Sequence, residues 1–145
     1  MLLTRPKTEV EIAACWPIMR LLRSQLTSQY SFVQQVLRQR LDGYHLLAAT
    51  TGGVIVALAG WRIQENFVFG RHVYVDDLVT EENLRGTGLG SHLLTALANE
   101  CRELRCDYLV LDTALRNTAA QRFYEREDMH KVAIKYIRLP LRSQT

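Results

Sequence analysis

Lysine is nearly missing from this 145-residue chain: none stands between Lys7 and Lys131. That absence excludes a phosphate loop of the G-x-x-x-x-G-K-[ST] kind from the interior, because such a loop needs a lysine ammonium on the phosphates. Cysteine is also sparse. Cys15, Cys101 and Cys106 make an odd count with no C-x-x-C pair, so neither a disulfide framework nor a metal site is signalled. Each thiol is expected to act as a small buried hydrophobe. No apolar run approaches the ~20 residues that cross a bilayer. The opening MLLTRPKTEVEIAACW lacks a basic stretch ahead of an apolar core. A cytoplasmic protein with no membrane partner is therefore expected. Basic runs are missing too, and the net charge is a mild +3. Such a charge suits a small polyanionic ligand but not nucleic acid, which asks for a dense Lys/Arg face.

What is present is ordinary for a globular chain, with 48% hydrophobic and 23% charged residues. The length predicts one domain, residues 1–145, large enough to bury a core. MLLTR reads as a short strand. TEVEIAACWPIMRLLRSQL has helical periodicity, with Ile12, Cys15, Trp16, Met19, Leu22 and Leu26 on one face. Thr8 and Glu11 form a capping-box signature at its start, and Pro17 predicts a kink or break. SFVQQVLRQRL reads as a second helix, stopped by Gly43. YHLLAAT and VIVALAGWRIQ form a hairpin over the turn TGG, and RHVYVDDLVT is a third strand of that sheet. GSHLLTALANECRELR is a long amphipathic helix. DYLVLDT, apolar throughout, reads as a strand buried on both faces. NTAAQRFYERE is a short helix capped by Asn117, and HKVAIKYIRL is a last strand ending at Pro140. The order β-α-α-β-β-β-α-β-α-β predicts a single α/β domain on a mixed, mostly antiparallel sheet flanked by helices. Its β-α-β unit over residues 71–113 should cross over right-handed.

Chemistry concentrates in DDLVTEENLRGTGLGSHLL, residues 76–94. Gly86, Gly88 and Gly90 lie between a strand and a helix. Glycine there permits positive φ and removes the Cβ that would keep a ligand off the backbone. The first amides of the helix have no internal acceptor, so together with the helix dipole they form an anion site, to which Arg85 can add its charge. A plain tight turn would use glycine in the same way. A dinucleotide fingerprint, G-x-G-x-x-G, is a poorer fit, because the third glycine follows two residues after the second; Asp112 does end the next strand, where a ribose-binding acid would stand. Upstream, Asp76 and Asp77 interrupt an apolar strand, which is unfavourable unless each is paired or hydrated. Strand alternation sends them to opposite faces, unless a bulge re-aims one.

RGTGLG, read as R-x-x-G-x-G, resembles the acyl-CoA pyrophosphate loop of the GNAT superfamily of N-acetyltransferases. The resemblance extends through YVDDLVTEENLRGTGLGSHLL and LDTALRNTAAQRFYEREDM, residues 74–129. One departure stands out: where the family has Gly-Phe after Y-E-R-x, this chain has Asp128-Met129, and aspartate tolerates the left-handed backbone that glycine would adopt there.

The resemblance implies acetyl-CoA as cosubstrate and a small amine or peptide amine as acceptor, attacked directly in a ternary complex. It implies that the backbone of Leu78, Val79 and Thr80 pairs with the pantetheine arm. The pyrophosphate would rest on Arg85, Gly86, Thr87, Gly88, Leu89, Gly90 and Ser91. It further implies Asp76 and Asp77 beside the amine, Asn117 on the pantetheine side and Tyr124 as the acid that protonates the departing thiolate. Relatives are often dimers, and the alternating final strand offers an interface for a homodimer. A catalytically silent acyl-CoA-binding module, or a nucleotide binder using the same turn, would share the loop without the chemistry.

Overall fold

A computed structural model describes residues 1–139. Contacts divide the chain into two compact units, Met1–Asp112 and a smaller one from Thr113 onward. The first unit holds β1 (Leu2–Thr4), α1 (Glu9–Ala13), α2 (Trp16–Leu22), α3 (Gln29–Arg40), β2 (His45–Thr51), β3 (Val54–Asn66), β4 (Gly70–Thr80), a 3-10 turn (Glu82–Leu84), α4 (Leu89–Glu103) and β5 (Tyr108–Leu111). The second holds α5 (Thr118–Arg126).

The first predicted helix is two helices. Thr8 accepts from the Glu11 amide while the Glu11 carboxylate accepts from the Thr8 amide, so the capping box starts α1 as expected. Pro17 then sits in the first turn of α2, where a missing N–H leaves no hydrogen bond unmade, and the break falls just before it. Ile18 takes the core position expected of Leu22, which lies exposed.

The sheet has five strands in the order β1-β2-β3-β4-β5, antiparallel except for the parallel β4–β5 pair. Alternation along the strands splits the core into two layers. Leu47, Ala57, Ala59, Trp61, Val73 and Val75 pack with Leu93, Leu97 and Cys101 of α4. Leu46, Ala48, Leu58 and Val79 pack with Ile12, Met19, Phe32 and Val36 of α1–α3. All three cysteines are free and buried among these apolar neighbours, as expected. Burial pushes the Cys15 thiol up to about 12, which keeps it protonated and inert.

Two strand expectations need correction. β5 is an edge strand of this sheet with Tyr108 exposed, so its apolar run does not mark burial on both faces. Residues 130–139 form no strand, and Val132, Ile134, Tyr136 and Ile137 are exposed. An alternating sequence supplies a face, but a strand exists only where a neighbour supplies hydrogen bonds, and this segment belongs to none of the five. Pro140, its expected end, lies outside the described residues.

Candidate active site

β4 changes parity in the middle. Trp61 of β3 pairs with Val75, and Gly60 pairs with Asp77, so Asp76 is an extra residue facing no partner: a β-bulge. Before it, Val73 and Val75 face the α4 layer; after it, Leu78 packs on that layer while Val79 joins the other. Strict alternation would have sent Asp76 and Asp77 apart. Asp76 already shares the face of Tyr74; the bulge turns Asp77 to join them, so all three line a cavity of about 480 Å³ between β4 and the helices α2 and α3.

Each acid has an arginine. Asp77 accepts from Arg23 Nε at 2.8 Å on Oδ1 and from the Tyr44 hydroxyl at 2.6 Å on Oδ2, and its side chain is 11% exposed. A second nitrogen of Arg23 donates to the Asp76 carbonyl at 2.7 Å, which ties the bulge to the end of α2. Asp76 accepts from Arg62 Nε at 2.9 Å on Oδ2 and is 25% exposed. Burial nevertheless outweighs Arg62 and raises the Asp76 carboxyl above the ordinary aspartate range. Tyr44 is buried, and desolvation with the Asp77 charge lifts its phenol well above 10.0, so it stays a donor. The Arg62 guanidinium lies over the Tyr44 ring at 5.3 Å.

Gly60 makes this packing feasible. A Cβ there would stand 1.8 Å from the Tyr44 hydroxyl oxygen and 2.7 Å from Asp77 Oδ2. Arg23, Tyr44, Arg62 and Gly60 were not singled out from the sequence. Of these, only the lone glycine inside the apolar strand VIVALAGWRIQ carries a local signal, since such a glycine marks a bulge or a close approach.

Beyond Val75 the two parallel strands part. The β4–β5 ladder ends at Val75–Leu111, while β4 runs on through Leu78, Val79 and Thr80 paired, among the described residues, only to β3. The flank of Leu78–Thr80 that β5 would have covered is therefore left for an added strand. Tyr74 donates its hydroxyl to Asp112 just past the last β5 residue.

The chain then enters the glycine turn. Gly86 and Gly88 have φ of +82° and +92°, and Gly88 is the N-cap of α4. No heavy atom lies within 4 Å of a Cβ built at either, so backbone conformation rather than internal crowding demands glycine, and the space above is open. The first α-helical amide bond runs from His92 N to Gly88 O at 3.0 Å, so the amides of Leu89 and Gly90 have no intrahelical acceptor. Arg85 and Thr87 are exposed, and Thr87 donates back to the Leu84 carbonyl at 2.5 Å. An uncapped helix start of this kind suits an anion.

In the second unit, the Asn117 side chain accepts from the Ala120 amide at 3.1 Å, capping α5 as expected. Tyr124 is half-buried with its ring 5.3 Å from that of Phe123, and burial raises its phenol above 10.0. Asp128 has φ +61° and takes the left-handed position expected of it in place of glycine.

A five-stranded mixed sheet whose parallel pair parts beside a glycine turn, with a polar cavity on the same strand, is the arrangement of an acyl-CoA-using transferase. Residues 14–128 match the acetyltransferase (GNAT) family, and the chain belongs to it. It is an acetyltransferase with acetyl-CoA as cosubstrate. It is 29% identical over 114 residues to an uncharacterized N-acetyltransferase of Bacillus subtilis (strain 168), YhdJ, covering 79% of this chain and 80% of that one. It is 28% identical over 87 residues to glucosamine 6-phosphate N-acetyltransferase of Arabidopsis thaliana, covering 59% of this chain and 56% of that one. The fold superposes on AAC(6')-Iy, solved with the bisubstrate analog CoA-S-monomethyl-acetylneamine, with a TM-score of 0.81, 14% identity and coverage of 96% and 97%.

Proposed function

We propose that the protein acetylates a primary amine on nitrogen by direct attack in a ternary complex, with the amine seated in the cavity beside Asp76. The observation that carries this reading is the bulge. It brings Asp77 onto the face of Asp76, so both acids line the cavity, on the same strand that runs out past β5 toward the open glycine turn.

Donor binding falls to the backbone of Leu78, Val79 and Thr80 and to the turn from Arg85 through Gly86, Thr87, Gly88, Leu89, Gly90 and Ser91. The Leu89 and Gly90 amides meet the pyrophosphate, and the exposed Arg85 adds charge. The two acids divide the remaining work. Both oxygens of Asp77 are held, by Arg23 and Tyr44, which makes it a fixed charge that positions its neighbours. Asp76 has a raised pKa and more exposure, both suited to a base. It takes a proton from the acceptor ammonium; the freed nitrogen lone pair attacks the thioester carbonyl; the carbon–sulfur bond breaks as the tetrahedral intermediate collapses. Tyr124, whose raised pKa keeps its proton at neutral pH, supplies that proton to the leaving sulfur. The nitrogen, which still carries two protons after its attack, gives one up through water to restore the Tyr124 phenol and becomes the neutral amide. Asn117 fixes the start of the helix that carries Tyr124.

This reading takes the whole chain as one catalytic domain working in the cytoplasm. The family match over residues 14–128 runs through both units and supports that. No helix of the described residues is long and apolar enough to cross a membrane. The glucosamine 6-phosphate in the name of the Arabidopsis relative is a primary amine of the proposed class. The exposed apolar segment 130–139 favours a homodimer, which light scattering on the eluting protein checks.

The test is acetyl-CoA consumption across a mixed amine library, followed by Tyr124→Phe. Turnover by the wild type, falling at least about tenfold in that variant with coenzyme A affinity unchanged, is expected. Binding without turnover for any amine would identify a silent acyl-CoA module instead.

A further inference from the structure

Two acids beside an acceptor site invite the reading that the acceptor is strongly cationic. Charge accounting in the cavity argues otherwise. Asp76 and Asp77 are matched one to one by Arg62 at 2.9 Å and Arg23 at 2.8 Å, so the four groups sum to zero. We propose that the cavity selects a compact monoamine, a single ammonium on an uncharged, hydroxyl- or amide-bearing skeleton, and discriminates against polycations. This rests on the acceptor assignment made above and narrows it.

Three features of the lining support the proposal. First, Asp76 keeps capacity for one cation: Arg62 engages its Oδ2, which leaves Oδ1 for the reacting ammonium. Among the residues that line the cavity, a second ammonium on the same molecule meets no carboxylate without an arginine, and Arg23 itself lines the cavity as a like charge. Second, the remaining polar lining is neutral. Gln25, Gln35, Gln39, Tyr44 and Tyr74 present amides and phenols, and Gln35 donates to Gln39 at 2.8 Å one turn along α3. Amides offer both donors and acceptors, the complement of a polyol or an amide skeleton. Third, Met19, Leu26, Phe32 and Val36 form an apolar wall, against which the C–H face of a small ring or short chain can pack. The volume of about 480 Å³ holds a molecule of that size, whereas a long extended polyamine would leave its outer ammoniums against neutral amides.

The experiment compares kcat/KM for glucosamine, spermidine and a lysine-rich peptide with saturating acetyl-CoA and full-length protein. Glucosamine is expected to exceed both polycations by at least about tenfold. Arg62→Gln removes the match to Asp76 and Arg23→Gln the match to Asp77. In each, the glucosamine-to-spermidine ratio should fall about tenfold, and the two variants are independent should one of them fold poorly. Gln39→Leu should raise KM for glucosamine more than it lowers kcat. Preference of the wild type for spermidine or the peptide would overturn the charge argument while leaving acetyl transfer intact. Acetyl-CoA binding with no amine consumed would overturn the acceptor assignment and this proposal together.

Discussion

Both carboxylate oxygens of Asp77 are held by side chains at 2.8 and 2.6 Å, whereas no heavy atom comes within 4 Å of a Cβ built at Gly86 or Gly88. The first region is finished by side chains just past α2 and just before β2. The second is bare backbone, its donors facing outward. The difference predicts opposite sensitivities. Around the acids, removing an atom leaves a buried polar group unpaired. At the turn, removing atoms changes little, but adding them fills the space a ligand needs and strains a left-handed backbone.

The largest effect should come from adding atoms to the open region. Gly88→Trp puts an indole over the turn at a φ of +92° and should weaken coenzyme A binding by at least about 100-fold. Calorimetric titration of a variant with a wild-type circular dichroism spectrum checks it. Retained affinity would mean that the turn does not hold the diphosphate, and the contrast between the two regions would lose its functional meaning.

Next comes the acid with the raised pKa. As a base, Asp76 must be ionised, so kcat/KM should fall as pH drops through its raised pKa, placing that limb above the ordinary aspartate value near 3.8. Asp76→Asn should lower kcat/KM about tenfold or more at neutral pH and erase that limb. Asp77→Asn should keep the limb, because Asp77 is held as a fixed charge. A limb that survives in Asp76→Asn and vanishes in Asp77→Asn would reverse the division of labour.

The same contrast explains what could be read in the residues. The glycine turn, the capping box of α1, the Asn117 cap and the left-handed Asp128 are local: each is decided within a few residues, and each is found as expected. The pairing of the acids is not local. Arg23 and Tyr44 lie 54 and 33 residues from Asp77, and no spacing rule ties them to it. A bulge is compatible with the strand sequence, but its place depends on the β3–β4 register, which the strand sequences leave free. The final segment failed for a related reason: VAIKYIRL has the pattern of a strand, but pairing is decided by a neighbour.

The smallest change in the set, one methyl group, probes the closed region directly. In Gly60→Ala the new carbon would stand 1.8 Å from the Tyr44 hydroxyl oxygen and 2.7 Å from Asp77 Oδ2, distances no relaxed structure tolerates. Gly60 is opposite Asp77 in the ladder, so the strand cannot yield without disturbing the bulge. Tyr44 is buried in the α1–α3 layer and lines the cavity, so its ring can yield only into that space and away from Asp77, at the cost of their hydrogen bond. The strain should therefore appear as about 1–3 kcal/mol of lost stability in urea unfolding, with a several-fold loss of kcat and an unchanged affinity for coenzyme A. Glycine's extra backbone freedom works in the opposite sense, since alanine stiffens the unfolded chain and stabilises by up to ~1 kcal/mol where it fits. A variant as stable as wild type, or more so, would mean that Tyr44 and Asp77 can part without penalty, and the acids would then be no more fixed than the glycine turn beside them.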